Sequence, residues 1–359
     1  MNKDIAVMEV DEGAFPDVTT NLQPRGIVVT NIFRDQLDRF GEIDSIQALI
    51  KKGLNALPAG NFQIINADDP SLASLKSSKK IKRWTYGLEV ELPPDDFLNT
   101  GRDIKTCPNC SCKLEYAKVF YAHIGHYYCP FCNYGRPEPD VKLTRQKVTD
   151  EGITRIEVNL PDQSLELEVP LLGIYNLYNI LAAVTCARAL NIPARIISEA
   201  LKKAVPSFGR MERFEKNNKE IIMALIKNPV GANEILRTIL NQPGNNNLVI
   251  AINDQIADGT DVSWLWDVDF EQLSTATSSF SSIIATGLRA WDMAVRLKYA
   301  GFEPEQVQVE EDFGRAVEMA LEQTAPNSKL FIIPTYTAML DIRRHLNKMG
   351  LGSPYWEER

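Results

Sequence analysis

Two cysteine knuckles constrain this chain more than any other feature: Cys107 and Cys110 in CPNC and, after eighteen residues, Cys129 and Cys132 in CPFC. Each knuckle offers two thiolates from one tight turn. A hairpin between them suffices to gather the pairs around one tetrahedral Zn2+. Pro108 and Pro130 stand inside the knuckles, where a fixed φ suits the turn. Four protein ligands make such a site closed and structural, with no open position for chemistry. Two ordinary thiol pairs are the alternative reading. Cys112 is a spare thiol beside the first knuckle, and His123 and His126 on the connecting hairpin are substitute ligands that two complete pairs do not require. The activity has to be sought elsewhere.

A chain of 359 residues, 44% of them hydrophobic, can bury sizeable cores and has the length of two or three domains. A cysteine ribbon alone would suggest nucleic acid, but a phosphate backbone calls for a basic stripe, and the net charge here is −8. The sequence shows no signal peptide and no apolar run of about 18 residues that could span a bilayer. Five of the six cysteines fall between Cys107 and Cys132, and Cys186 lies in an apolar helical pattern. That is metal usage in a reducing compartment, so the cytoplasm is the expected location.

Hydrophobic patterning predicts an α/β chain. IAVMEV (5–10) reads as a buried strand, GIVVTNI (26–32) as a second, IDSIQALIKKGLNAL (43–57) as a helix and FQIINADDP (62–70) as a third strand ending in a polar turn. This alternation implies a parallel, doubly wound sheet with ligands at the carboxyl ends of its strands, where Glu9, Asn31 and Asp68 fall. The cysteine region, about 98–140, breaks the pattern and reads as an insertion. ITRIEVNLPDQSLELEV then alternates as a hairpin, followed by helices in IYNLYNILAAVTCARAL and ARIISEALKKA. Past a boundary between 206 and 215 the alternation restarts: EIIMALIK, a helix from Ala232, NLVIAIN, IIATG, a helix from Arg289, VQVE, a helix from Phe313 and KLFIIPT. The expected division is 1–208 and 209–359, the second part being a Rossmann-like α/β domain.

Four phrases, TNIFRDQLDRFG (30–41), INADDP (65–70), GIYNLYNILAA (173–183) and FGRMERFE (208–215), resemble in order the motifs of the Mur ligase family. The four-cysteine insertion, KNPVGANE (227–234), NDQIADGTDVSWLWDVDFE (253–271) and PTYTAML (334–340) narrow the resemblance to its amidating branch, the synthetase subunits of lipid II isoglutaminyl synthase. The resemblance covers essentially the whole chain. It implies a central Mur ATPase domain with an inserted zinc ribbon, then a Rossmann-like C-terminal domain. It also implies ATP-dependent amidation: the α-carboxylate of D-glutamate in the lipid II stem peptide becomes an acyl phosphate, and ammonia displaces phosphate to give D-isoglutamine. A GatD-type glutamine amidotransferase subunit supplies the ammonia, and lipid II places the work at the inner face of the cell membrane. A carboxylate is a poor electrophile until phosphorylated, and the charge gathered there requires Mg2+ and cationic side chains.

On this resemblance Glu9 is the strand-end glutamate that holds Mg2+. Asn176 and Asn179 match the asparagines of a Gly-x-His-Asn-x-x-Asn motif, with Asn179 facing adenine, whose edge an amide can read as donor and acceptor. Tyr175 replaces the motif's histidine, so a histidine role there lapses. Arg210 matches the phosphate-reaching arginine of a Gly-Arg motif. Where other Mur ligases read Asp-Tyr-Ala-His-Asn-Pro, this chain has ALIKNP (224–229). The usual amino-acid pocket is thus in question, and ammonia needs none. Within 258–271, Asp258, Asp261, Asp267 and Asp269 surround Trp264 and Trp266. The resemblance implies that this stretch faces the glutaminase and that one aspartate completes its Cys-His-Asp triad, with Asp267 the first candidate and Asp261 the second. Helix caps, solvated charges and core tryptophans are the plainer readings of the same residues.

No G-x-x-x-x-G-K-[ST] phosphate loop occurs in the sequence. The expectation is therefore a fragment, a displaced start or a real loss, with the family's activity belonging to the intact protein. Two alternatives stand beside it: a non-catalytic scaffold that docks the glutaminase, and a folylpolyglutamate-synthase-like ligase, against which the ribbon and the stretch 258–271 argue.

Overall fold

The computed structural model describes residues 5–33, 43–75, 80–91, 104–149, 153–204, 209–242, 244, 246–275 and 280–351. Residues 34–41 of the TNIFRDQLDRFG run, the 98–103 start of the expected insertion and the 206–208 boundary lie outside these. The chain divides into two units, Met1–Ala204 and Val205–Arg359. Among the described residues no helix is long and apolar enough to cross a membrane.

The first unit is built on a mixed sheet. Its strands are β1 (Gly26–Val29), β2 (Phe62–Asn66), β3 (Lys82–Leu88), β6 (Val141–Val148), β7 (Thr154–Asn159) and β8 (Ser164–Val169), in spatial order β1-β2-β3-β6-β7-β8. The first four run parallel and β7 and β8 fold back antiparallel. All five residues of β2 are buried, as an inner strand covered on both faces requires. Helix α1 (Phe15–Leu22) precedes β1 and α2 (Ile43–Ala56) follows it. Ile43, Ile46, Ile50 and Leu54 on α2 recur at helical spacing and join Ile27, Val29 and Ile65 in one core. Full burial of each such side chain stabilises by about 1.5–3 kcal/mol. A short α3 (Pro70–Ser74) leaves β2, and α4 (Ile174–Ala189) and α5 (Ala194–Lys202) close the unit.

The expectation for residues 5–10 fails. They form no strand, and Ile5, Val7 and Met8 are exposed. A strand needs a ladder partner, and among the described residues β1, at the edge of this sheet, pairs with β2 alone. Apolar composition without a neighbour to pair with does not make a strand.

Between β3 and β6 the chain leaves the sheet to form a two-stranded ribbon, β4 (Glu115–Tyr121) and β5 (Ile124–Tyr128). This insertion is fastened to the turn after β2. Tyr127 donates its hydroxyl to Ala67 O (3.2 Å), Tyr134 to Pro70 O (2.5 Å), and the Gly125 amide donates to Asp68 O (2.9 Å).

In the second unit β9 (Glu212–Lys216), β10 (Lys219–Met223), β11 (Asn246–Ala251), β12 (Phe280–Thr286), β13 (Val307–Val309) and β14 (Lys329–Pro334) order as β13-β12-β11-β14-β10-β9. All pairs are parallel except β9 with β10. Alternate strand residues feed two cores. Ile222, Leu248, Ile250, Phe331 and Ile333 meet α6 (Pro229–Leu240) and α8 (Ala290–Tyr299), whereas Ile221, Met223, Val249, Leu330 and Ile332 meet α9 (Phe313–Gln323) and α10 (Tyr336–Lys348). Helix α6 starts at Pro229 rather than Ala232, because the Asn228 side chain accepts from the Gly231 amide and proline suits the first turn. A short α7 (Glu271–Thr275) lies between β11 and β12.

Candidate functional site

The four cysteines come together. The sulfurs of Cys107, Cys110, Cys129 and Cys132 all lie within 4.8 Å of one another, with Cys107–Cys132 and Cys110–Cys129 at 3.5 Å. Tetrahedral zinc with bonds of about 2.3 Å sets sulfurs slightly farther apart than that, so the cage fits the ion. Both knuckles close the same way. The Cys107 amide donates to Cys112 O and the Cys129 amide to Tyr134 O, each at 2.7 Å, and a left-handed residue follows each second cysteine, Ser111 at φ 60° and Asn133 at φ 57°. Cys112 thus serves through its carbonyl. Burial opposes ionisation of Cys129, but the Phe131 amide, Cys110 and the Cys132 amide outweigh it and bring the thiol down to about 7. A backbone bond from Tyr134 favours the Cys132 thiolate, yet desolvation and the neighbouring sulfurs push this thiol up to about 12. Four thiols so close ionise together only around a cation. Neither histidine joins them: His126 bonds Leu88 O (2.7 Å), and His123 is buried 3.7 Å from Asp69.

The carboxyl end of β2 carries two adjacent buried aspartates. Asp69 caps α3, accepting from the Ser71 and Leu72 amides, and its other oxygen accepts from the Ile32 amide. Asp68, expected among the ligand-facing residues, is fully committed inside the protein. Its Oδ1 meets Arg136 Nε at 2.5 Å, and its Oδ2 accepts from the Tyr178 hydroxyl at 2.7 Å and the Leu88 amide at 2.9 Å. Burial raises its pKa, Arg136 being the main opposing influence; the same carboxylate raises the pKa of Arg136 against that group's own burial. The guanidinium reaches this place only because residue 87 is glycine: a Cβ there would lie 2.6 Å from Asp68 Oδ1 and 2.7 Å from Arg136 Nη2.

Tyr178 belongs to the first turns of α4, between Asn176 and Asn179. Asn176 is buried and donates to Leu172 O at 2.7 Å, while its Oδ1 faces Asn179 Nδ2 at 3.5 Å. Asn176 therefore fixes the helix entrance, and Asn179 is exposed. Glu9 is exposed in the irregular stretch 5–10 rather than at a strand end, and among the described residues it makes no hydrogen bond or ion pair. Arg210 belongs to the second unit, exposed between Gly209 (φ 70°) and Met211 (φ 57°) in a turn that the Leu225 amide ties down through Gly209 O.

In the second unit the carboxyl ends of β11 and β14 are packed shut. Buried Asp258 accepts from the Thr337 amide (2.7 Å), the Thr337 hydroxyl (2.5 Å) and the Gln255 amide (3.2 Å). Asn253 donates to the same hydroxyl and accepts from the Leu288 amide. Beyond this plug the chain surfaces in a 3-10 turn, Ser263–Asp267. Arg296 supports that turn from beneath, donating to Leu265 O (3.0 Å) and Val268 O (2.6 Å). Asp261 is exposed, and the Ser263 amide holds its carboxyl below the usual range. Asp267 is exposed and accepts no hydrogen bond among the described residues, whereas Asp269 accepts from Gln272. Trp264 packs on the core, but Trp266 is exposed beside an open cleft of about 500 Å3 lined by Asp261, Leu265, Arg289 and Trp291. Arg136 and Arg296 lie outside every motif of the sequence, and Tyr178 and Thr337 lie inside motifs without standing out, because each acts through a partner far along the chain.

A parallel sheet with helices, an asparagine-bearing helix beside its polar turn and a second Rossmann-like unit together make the build of a Mur-type ligase. Residues 1–108 match the Mur ligase middle domain and residues 225–339 the MurT ligase C-terminal domain. Solved folds agree: a pseudomurein peptide ligase type C from Methanothermus fervidus superposes with a TM-score of 0.71 at 23% identity, covering 93% of this chain and 65% of that one. MurF from Acinetobacter baumannii gives 0.64 at 17%, covering 92% and 62%. Subunit MurT of the glutamine-hydrolysing lipid II isoglutaminyl synthase from Streptococcus pneumoniae is 33% identical over 96% of this chain and 74% of its own length; its Staphylococcus aureus counterpart is 34% identical over 97% and 76%. The chain belongs to the MurT family of Mur ligases. It spans about three quarters of these relatives and under two thirds of the two solved chains.

Proposed function

We propose that the chain belongs to the synthetase component of a lipid II isoglutaminyl synthase, whose intact form amidates the D-glutamate α-carboxylate of lipid II at the expense of ATP, in the cytoplasm at the inner membrane face. The observation that carries this reading is the plugged crevice of the second unit. The carboxyl ends of parallel strands are where α/β domains ordinarily seat ligands, and at the ends of β11 and β14 Asp258, Asn253 and Thr337 occupy that place with mutual hydrogen bonds. A ligase that adds an amino acid needs a pocket for it, whereas one that adds ammonia does not. ATP supplies the phosphoryl group that turns the carboxylate into an acyl phosphate, which ammonia opens with release of phosphate. In this reading Asn179 meets adenine, Asn176 holds the helix entrance, Glu9 is a ligand for Mg2+, Arg210 reaches phosphate, and the four cysteines hold Zn2+.

Asp267, exposed and without a hydrogen bond to its carboxylate among the described residues, is the residue offered to a GatD-type glutaminase subunit. An aspartate completing a Cys-His-Asp triad orients the imidazole and stabilises its charged form. Asp267→Asn is expected to leave the complex assembled, to lower glutamine hydrolysis by up to about 10^4-fold, as tautomer loss does in a serine protease, and to spare amidation fed with free ammonia. The check is both turnovers in one mutant. Equal loss of the two would move Asp267 into the synthetase site, and full glutaminase activity would shift the role to Asp261.

A further inference from the structure

We propose that the cysteine insertion positions the nucleotide helix, with Tyr178, Asp68 and Arg136 as the connection. The insertion's own residues reach α4 by two routes. Arg136, four residues past Cys132 and hydrogen-bonded through its amide to Tyr127 O, pairs with the Asp68 carboxylate whose other oxygen receives the Tyr178 hydroxyl. Phe120 and Tyr121 of β4 meet the Tyr178 ring edge-on, at centroid distances of 6.4 and 5.6 Å. Tyr178 is buried and stands directly before Asn179, so whatever holds its ring and hydroxyl sets the rotation of the first turns of α4. Glu89 takes a donor from Nη1 and Leu88 O one from Nη2, so the guanidinium cannot follow a loosened insertion without breaking charged hydrogen bonds.

Closing the knuckles over a metal therefore holds Arg136 and the β4 aromatics in place, and through Asp68 and Tyr178 it holds Asn179 where a nucleotide would find it. The helix link is independent of the proposed activity; its effect on nucleotide rests on Asn179 meeting adenine.

The test is hydrogen exchange of the 174–179 amides in the purified chain, with zinc and after chelation, for the wild type and for Tyr178→Phe. The variant keeps the ring and removes only the hydroxyl. Chelation should speed exchange of these amides at least about tenfold in the wild type, whereas β11 should be unaffected. Tyr178→Phe should produce part of that acceleration with zinc still bound, and chelation should then add less than it does in the wild type. Unchanged exchange at 174–179 on chelation, or equal factors in both proteins, overturns the proposal, even if the insertion itself unravels. ATP·Mg2+ affinity is read in parallel. Where the wild type binds ATP·Mg2+ measurably and Asn179→Ala leaves that affinity untouched while the exchange coupling holds, the nucleotide assignment is wrong and the connection stands.

Discussion

Asp68 and Asp258 occupy comparable places, buried in the loops beyond inner parallel strands of the two units, and their charges are met by opposite means. Asp68 has a cation, Arg136, brought in by a segment that is foreign to the sheet, along with a tyrosine hydroxyl from a distant helix. Among the described residues Asp258 has neutral donors alone, chiefly the first turn of α10, where unpaired amides and the helix dipole welcome an anion. The first arrangement ties three separate pieces of chain to one carboxylate and leaves a buried charge stranded if any piece moves. The second is complete within its own domain. A buried ion pair is poor evidence of net stability, but breaking one partner of it is expensive. Of these two carboxylates, coupling and fragility therefore belong to Asp68.

Removal of the metal should break this contrast most visibly. Structural zinc in finger peptides is worth about 10–16 kcal/mol in apparent binding energy. Chelation or Cys129→Ser should give the largest fall in thermal stability of any change considered, with exchange rising in β2 while β11 stays protected. Metal analysis should find one zinc per chain, and a value well under one in folded protein would count against the site.

Arg136→Met comes next, at about 3–5 kcal/mol, the usual cost of stranding a buried charge. It also has a pH signature. Burial already places the Asp68 pKa above its ordinary value of 3.8 with Arg136 present, and removal of the cation raises it further. The stability that a raised carboxyl contributes is whole below its unfolded pKa and is lost as pH rises through its folded one. The variant should thus recover part of its deficit on acidification from neutral, as urea melts at two pH values would show. A deficit that does not change with pH would mean that Asp68 is not what destabilises it.

Smallest of the three, Asp258→Ala removes a cap-like acceptor and should cost about 1–2 kcal/mol. Denaturant midpoints measure it, and a loss as large as that of Arg136→Met would erase the distinction between the two carboxylates.

Much of the fold was legible because its signals are local. FQIIN announces an inner strand, the alternation of TRIEVN and SLELEV a hairpin, and the cysteine spacing a closed cage. IAVMEV misled because its apolar run carries strand propensity but finds no ladder partner. Asp68 misled because its position at a strand end suggested a ligand, when its true partners sit 68 and 110 positions away. Of the candidate site, the structure gives Asn179, Asp261 and Asp267 an exposed position and no more. The Arg136 junction could not be read, since the one hint, a glycine inside β3, makes sense only once the guanidinium is seen beside it.

The same separations set an order of events during synthesis. Cys107 and Cys132 are 25 positions apart and joined by their own hairpin, so the cage can close around its ion as soon as that short stretch has left the ribosome. The Tyr178 hydroxyl arrives only after a further length of chain has been made. With zinc in the cage as proposed, a nascent protein starved of it would offer α4 an unformed surface to dock against, and the shortage would be felt as a failure of assembly before it touched anything the folded protein does.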